Sequence, residues 1–152
     1  MSSTAEARFR VQAPNSTPRV SKVIALDAAG EAVVRRLALG AWEHATFLAA
    51  EVSPVVALRD LAGQVRSIAD EVDTADLIIM VAGPGGQAQA ASLIGEACSR
   101  RRVMTTGFIV GATTASDRAL SQTLAQVRPW SLMVVIANSD DYIDDMLTAL
   151  RA

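Results

Sequence analysis

The chain is 152 residues long, 51% hydrophobic, 20% charged and 4% aromatic, and its fourteen basic and sixteen acidic side chains leave a formal charge of −2. That balance argues against a nucleic-acid or anionic-membrane binder, which carries a basic patch. The single cysteine excludes an intramolecular disulfide, and with the single histidine, His44, it excludes a Cys/His zinc cluster.

Residues Met1 to Pro18 carry Ser, Thr, Pro and Asn with scattered Arg. They lack the run of about 7–15 apolar residues that a secretory signal needs. A flexible tail is expected over 1–18, with Phe9 and Val11 available to pin it, and one domain over 19–152. The mean hydropathy is +0.28, yet apolar runs such as Leu77–Ala82 are far shorter than the ~18 residues of a membrane helix. A soluble, cytoplasmic protein without membrane contact is expected.

From residue 20 onward, apolar runs alternate with amphipathic segments. The runs are Val20–Leu26, Ala45–Ala50, Ala75–Ala82, Val103–Val110 and Ser131–Ala137. Several are almost continuously apolar, as strands buried on both faces of a parallel sheet must be. The clearest helical pattern is Val55, Leu58, Leu61, Val65, Ile68 and Val72, spaced three or four apart, with Ser53-Pro54 ahead of it as a cap and first-turn proline. Further helices are expected over Glu31–Leu39, Gly86–Ser99, Ser116–Val127 and Asp140–Arg151. Alternating strand and helix predicts an α/β fold with right-handed crossovers and a parallel sheet. The expected core includes Val23, Ile24, Phe47, Leu48, Ile78, Ile79, Val81, Ile109, Val134 and Val135.

In such a sheet, ligands bind beyond the carboxyl ends of the strands. The loops there are Asp27–Glu31, Glu51–Ser53, Gly83–Gln87, Gly111–Thr114 and Asn138–Asp140. The third is the most informative. Gly83-Pro84-Gly85-Gly86 between a strand and a helix lets backbone N–H groups approach an anion, or it is a tight turn with small residues for packing. The named fingerprints fail. There is no G-x-x-x-x-G-K-[ST], the only lysine is Lys22 at the start of the first strand, and Asp27-Ala28-Ala29-Gly30 supplies a single glycine. Catalytic groups are thin as well. His44 reads as an exposed loop residue. Cys98 stands near a helix C-terminus, where the dipole disfavours a thiolate, and Arg100-Arg101-Arg102 complement that same end. Asp27 and Glu31 face the candidate pocket as metal ligands or as a polar loop with a helix-start carboxylate.

The segments Lys22–Val34, Ala45–Glu51, Ala75–Gly95, Val103–Gly111 and Leu132–Asn138 resemble, in this order, the GTP-binding domain of FtsZ, the bacterial tubulin relative. In that family a glycine-rich turn follows the first strand, the second strand ends in Ala-Ala-Asn-Thr-Asp, a later strand runs into Gly-Met-Gly-Gly-Gly-Thr-Gly-Thr-Gly, and a following strand ends in Pro-Asn. This chain departs from the pattern where phosphate would be held. Gln87-Ala88-Gln89-Ala90 replaces Thr-Gly-Thr-Gly, Asp27 replaces a glycine, and Glu31 replaces an asparagine. The family's third strand, its γ-phosphate loop and its second domain are expected to be missing.

The resemblance implies a tubulin-like core stripped of GTP hydrolysis. It also implies a three-layer, doubly wound, Rossmann-like parallel sheet of five strands in the order 2-1-3-4-5. The switch point then lies between the Asp27–Glu31 and Gly83–Gln87 loops. Three functions stay open at this point. The first is a degenerate FtsZ-like domain that binds a protein partner or self-associates. The second is a small-molecule or nucleotide binder with a remodelled pocket. Its candidate ligand residues are Asp27, Gly30, Glu31, Gly83, Gly85, Gly86 and Gln87, with Asp117, Arg118 and Asn138 toward base and sugar. The third is an enzyme using Asp27 or Glu31 as a base. No resident cofactor or metal is expected, and GTP or GDP would bind weakly.

Overall fold

The computed structural model describes residues 19–52, 55–111, 115–137, 141–150 and 152. The expected tail over 1–18, the Ser53-Pro54 cap and Asn138 lie outside them. The elements in chain order are β1 (Ser21–Ala25), α1 (Ala28–Leu37), β2 (Ala45–Glu51), β3 (Ala57–Asp60), β4 (Val65–Arg66), α2 (Ile68–Asp73), β5 (Leu77–Ala82), α3 (Ala90–Arg101), β6 (Met104–Val110), α4 (Asp117–Val127) with a 3-10 turn at Arg128–Trp130, β7 (Met133–Ala137) and α5 (Asp141–Ala149).

The chain is α/β, but its sheet has seven strands in the order β4-β3-β2-β1-β5-β6-β7, not five in the order 2-1-3-4-5. Strands β2, β1, β5, β6 and β7 run parallel to one another, while β3 adds to β2 and β4 to β3 antiparallel, so the sheet is mixed. The added strands come from the stretch whose apolar spacing predicts a long helix. Asp60 decides against the helix: its carboxylate accepts from the N–H groups of Ala62 and Gln64 at 3.0 and 2.9 Å, closing a turn in which Gly63 takes φ +91°. Val55 and Val65, both in the expected apolar stripe, are exposed. The hairpin also stands where a strand is expected to be missing.

Two apolar layers sandwich the sheet. Ile24, Leu48, Leu58, Ile78 and Met80 pack with Val72 of α2, Ile94 of α3 and Val127 of α4. On the other face Val23, Ile79, Val81 and Phe108 pack with Val34 and Leu37 of α1 and Ile143 and Leu147 of α5. Alternate residues of one strand thus serve opposite layers, which is why β1 and β5 are buried along their whole length. Of the expected core, Phe47, Val134 and Val135 are only partly buried, because β2 and β7 lie outside the central strands.

Lys22 points to α2 at the amino end of β1. Its Nζ lies 2.6 Å from Oε2 of Glu71 and 3.0 Å from the Thr74 hydroxyl, and both charged side chains are buried. Arg66 of β4 reaches Glu71 at 3.7 Å and Asp60 at 3.2 Å, so one charge network ties the hairpin and α2 to the first strand.

Candidate functional site

The order of strands reverses between β1 and β5, and the loops after these two strands form the crevice. Asp27 follows β1 in extended conformation and caps α1, its Oδ1 accepting from the N–H of Gly30 at 2.8 Å. The same carboxylate crosses the crevice and accepts from the N–H of Gly83, 3.0 Å to Oδ2 and 3.2 Å to Oδ1. Burial pushes the Asp27 carboxyl above its ordinary value, and the hydrogen bonds from Gly30 and Gly83 pull the other way.

The glycines have packing reasons to be glycine. A β-carbon on Gly30 would collide with the carbonyl of Val81, and one on Gly86 would overlap the Asp27 carboxylate. Gly85 takes φ +81°, a conformation that side chains oppose. The N–H of Gly85 donates to the Ala119 carbonyl (3.1 Å) and to Oγ1 of Thr123 (2.9 Å). The Thr123 hydroxyl in turn donates to the Gly83 carbonyl at 3.3 Å. Ala88 donates to Oε1 of Gln126 at 3.0 Å, and Gly86 to the Gly83 carbonyl at 3.4 Å. The glycine loop is therefore docked onto α4, and these four donors have partners within the protein. Thr123 and Gln126 are missing from the sequence-based site. Their signal was available: with Ala119 and Val127 they share one helical face, and two polar residues interrupt it.

Of the expected site, the structure brings Asp27, Gly30, Gly83, Gly85 and Gly86 together. Glu31 departs from expectation, since its carboxylate is held by Arg35 one turn further along α1, at 2.9 and 3.1 Å. The simple i,i+4 pair outcompetes a position over the crevice. Gln87 is exposed. Asp117 and Arg118 stand exposed on the first turn of α4, which Ser116 caps by accepting from Ala119.

Metal ligation finds no support at Asp27 and Glu31, because one accepts from backbone amides while the other pairs with arginine. Among the described residues there is no group of three His, Cys, Asp or Glu side chains placed to hold a metal. His44 is half-exposed beside Glu43, at 3.9 Å. Cys98 is buried in α3, and burial pushes its thiol up to about 11. A groove of about 390 Å³ lies along the outer side of α4, lined by Ser121, Leu124, Ala125, Arg128 and Pro129. It contains none of the expected ligand residues. No described helix is long and apolar enough to cross a membrane.

Comparison with protein-family models finds no match, and comparison with curated proteins finds none either.

Proposed function

We propose that this chain is a degenerate FtsZ-like domain that does not hydrolyse GTP and acts through protein contact, self-association above all. The observation that carries the proposal is the position of Asp27. Its carboxylate accepts from the N–H groups of Gly30 and Gly83, the donors that a phosphate at this switch point would need. The chain supplies its own anion there. An incoming phosphate would have to displace it, forfeiting a helix cap worth about 0.5–2 kcal/mol and setting two negative charges side by side. The donors of Gly85, Gly86 and Ala88 likewise have partners within the fold, which leaves fewer amides for an incoming phosphate.

The test is phosphate release from GTP by purified protein across a concentration series, with a thermal-shift screen of GTP, GDP, flavins and NAD on the same samples. No turnover above a heat-treated control is expected, and no nucleotide should raise the midpoint. Turnover that survives further purification would overturn the proposal. A specific ligand that stabilises the protein as RT ln(1 + [L]/Kd) would instead favour a small-molecule pocket.

A further inference from the structure

The sheet ends differently on its two sides. On one side the outermost strand is β4, two residues long, with Arg66 in it and Arg59 on the strand beside it. Short, charged edges resist pairing with another chain. On the other side the outermost strand is β7, which pairs with β6 over five positions from Thr106↔Met133 to Val110↔Ala137. The segment Ser131–Ala137 holds no charge, no proline and no glycine. Leu132, Met133 and Ile136 are 74%, 51% and 46% exposed. Among the described residues, the strand itself carries none of the charged or proline residues that blunt an edge.

We propose that β7 is a homodimer interface: a second copy of this chain adds its own β7 antiparallel, continuing the sheet across a two-fold axis. This rests on the reading above that the chain acts by self-association, and it assigns the surface. The strand itself sets the register. A two-fold axis perpendicular to the sheet keeps each layer on its own side, so only residues facing the same layer meet. Val134 packs toward the α2–α4 layer and Val135 toward the α1/α5 layer. Leu132 turns its N–H inward to the Thr105 carbonyl at 3.0 Å. The alternation of a parallel strand then points the N–H and C=O groups of Met133 and Val135 outward.

An axis through Val134 pairs Met133 with Val135 of the second copy through those groups. It sets Leu132 against Ile136 and Val134 against itself, which covers all three exposed side chains. An axis through Val135 would leave Leu132 beyond the end of the facing strand, which stops at Ala137. Charge favours the same partner. Arg128 stands before the strand and Asp141 opens α5 after it, so antiparallel pairing runs the basic end of each copy toward the acidic end of the other.

The experiment is sedimentation of the full chain over a concentration series. Wild type should dimerise. Leu132→Lys combined with Ile136→Lys places like charges opposite each other twice, and should weaken the dimer by ~100-fold or more. Leu132→Glu with Ile136→Lys turns the same two positions into opposite-charge pairs and should restore it. Under mild oxidation Val134→Cys should cross-link two copies, while Val135→Cys should not. Circular dichroism melts check that each variant folds, and residues 132 and 136 are exposed enough to accept the changes. A wild type that stays monomeric, or a dimer indifferent to both double variants, overturns the proposal. Phosphate release on these samples separates the two readings. GTP turnover by a β7 dimer would defeat the loss of hydrolysis and leave the interface standing, whereas a monomer without turnover would defeat the interface and self-association and leave the loss of hydrolysis standing.

Discussion

Gly86 lies against the Asp27 carboxylate so closely that a β-carbon on residue 86 would overlap Oδ2, Cγ and Cβ of the aspartate. The glycine is there to admit a side chain of the same protein. Gly86→Ala must therefore push Asp27 out of its hydrogen bonds or strain the loop, at a cost of about 1–3 kcal/mol. In an Asp27→Gly background the obstruction is gone, and the same change should cost much less. A double-mutant cycle by urea denaturation reads the coupling, which should fall between about 0.5 and 3 kcal/mol for residues in contact. Additive effects would mean that Gly86 is required for the turn alone.

Asp27 also gives the fold a pH signature of defined sign. Its carboxyl is raised from 3.8 by burial, so the unfolded chain ionises first as pH climbs. Stability linked to this group is greatest below 3.8, falls as pH rises toward the raised folded value, and is level beyond it. Asp27→Asn keeps a side-chain oxygen for the cap and has no proton to lose. Subtracting its stability curve from that of wild type between about pH 3 and 7 isolates the step. A difference that rises with pH would show that the Gly30 and Gly83 hydrogen bonds outweigh burial.

The parts of this fold that were legible in the sequence are those with one dominant local signal. Val20–Leu26 and Ala75–Ala82 are nearly all apolar and became the two fully buried central strands. The stretch after β2 misled because its three- and four-residue apolar spacing fits a helix, while the deciding contacts were a side chain on a backbone, Asp60 on Ala62 and Gln64. The candidate site divides in the same way. The glycine cluster marked a close approach, but Asp27 reaches Gly83 across 56 residues and Gln126 reaches Ala88 across 38. No local pattern carries such pairs. Glu31 was the opposite case, since its i,i+4 partner Arg35 was visible in the sequence all along.

The buried pair of Lys22 and Glu71 should be costly to break and cheap to replace. Removing one partner leaves Glu71 with only the more distant Arg66, or Lys22 with only the Thr74 hydroxyl, so Lys22→Met or Glu71→Gln alone should destabilise by up to about 3–5 kcal/mol. Lys22→Met combined with Glu71→Leu removes both desolvated charges and leaves Arg66 its contact with Asp60. Most of the single-variant loss should then be recovered in chemical denaturation. A double variant as unstable as the sum of the singles would make the pair a net stabiliser of β1 against α2.

Cys98 should be chemically silent in the folded protein. Its thiol is buried on α3 and pushed up to about 11, and the thiolate is the reactive form. Alkylation by iodoacetamide near neutral pH should proceed only as fast as the protein opens, and should become rapid in denaturant. Fast labelling under native conditions would place α3 among the loosely held elements.

The two acids at the switch point should behave differently toward nucleotide. Asp27 occupies the amides of Gly30 and Gly83, while Glu31 is engaged by Arg35 on the exposed side of α1. Asp27→Gly frees both amides and removes the opposing charge. Calorimetry with GDP should show a gain over wild type, and added salt should reduce it. Glu31→Asn removes a charge already screened by solvent and paired with arginine, so its effect should stay within a few tenths of a kcal/mol, the scale of an exposed helix pair. Combining the two should add little to Asp27→Gly alone. If Glu31→Asn gives the larger gain, the carboxylate swings from Arg35 to the crevice when an anion arrives. If neither variant binds GDP better than wild type, the Gly83–Gly86 turn serves packing against α4 and nothing else.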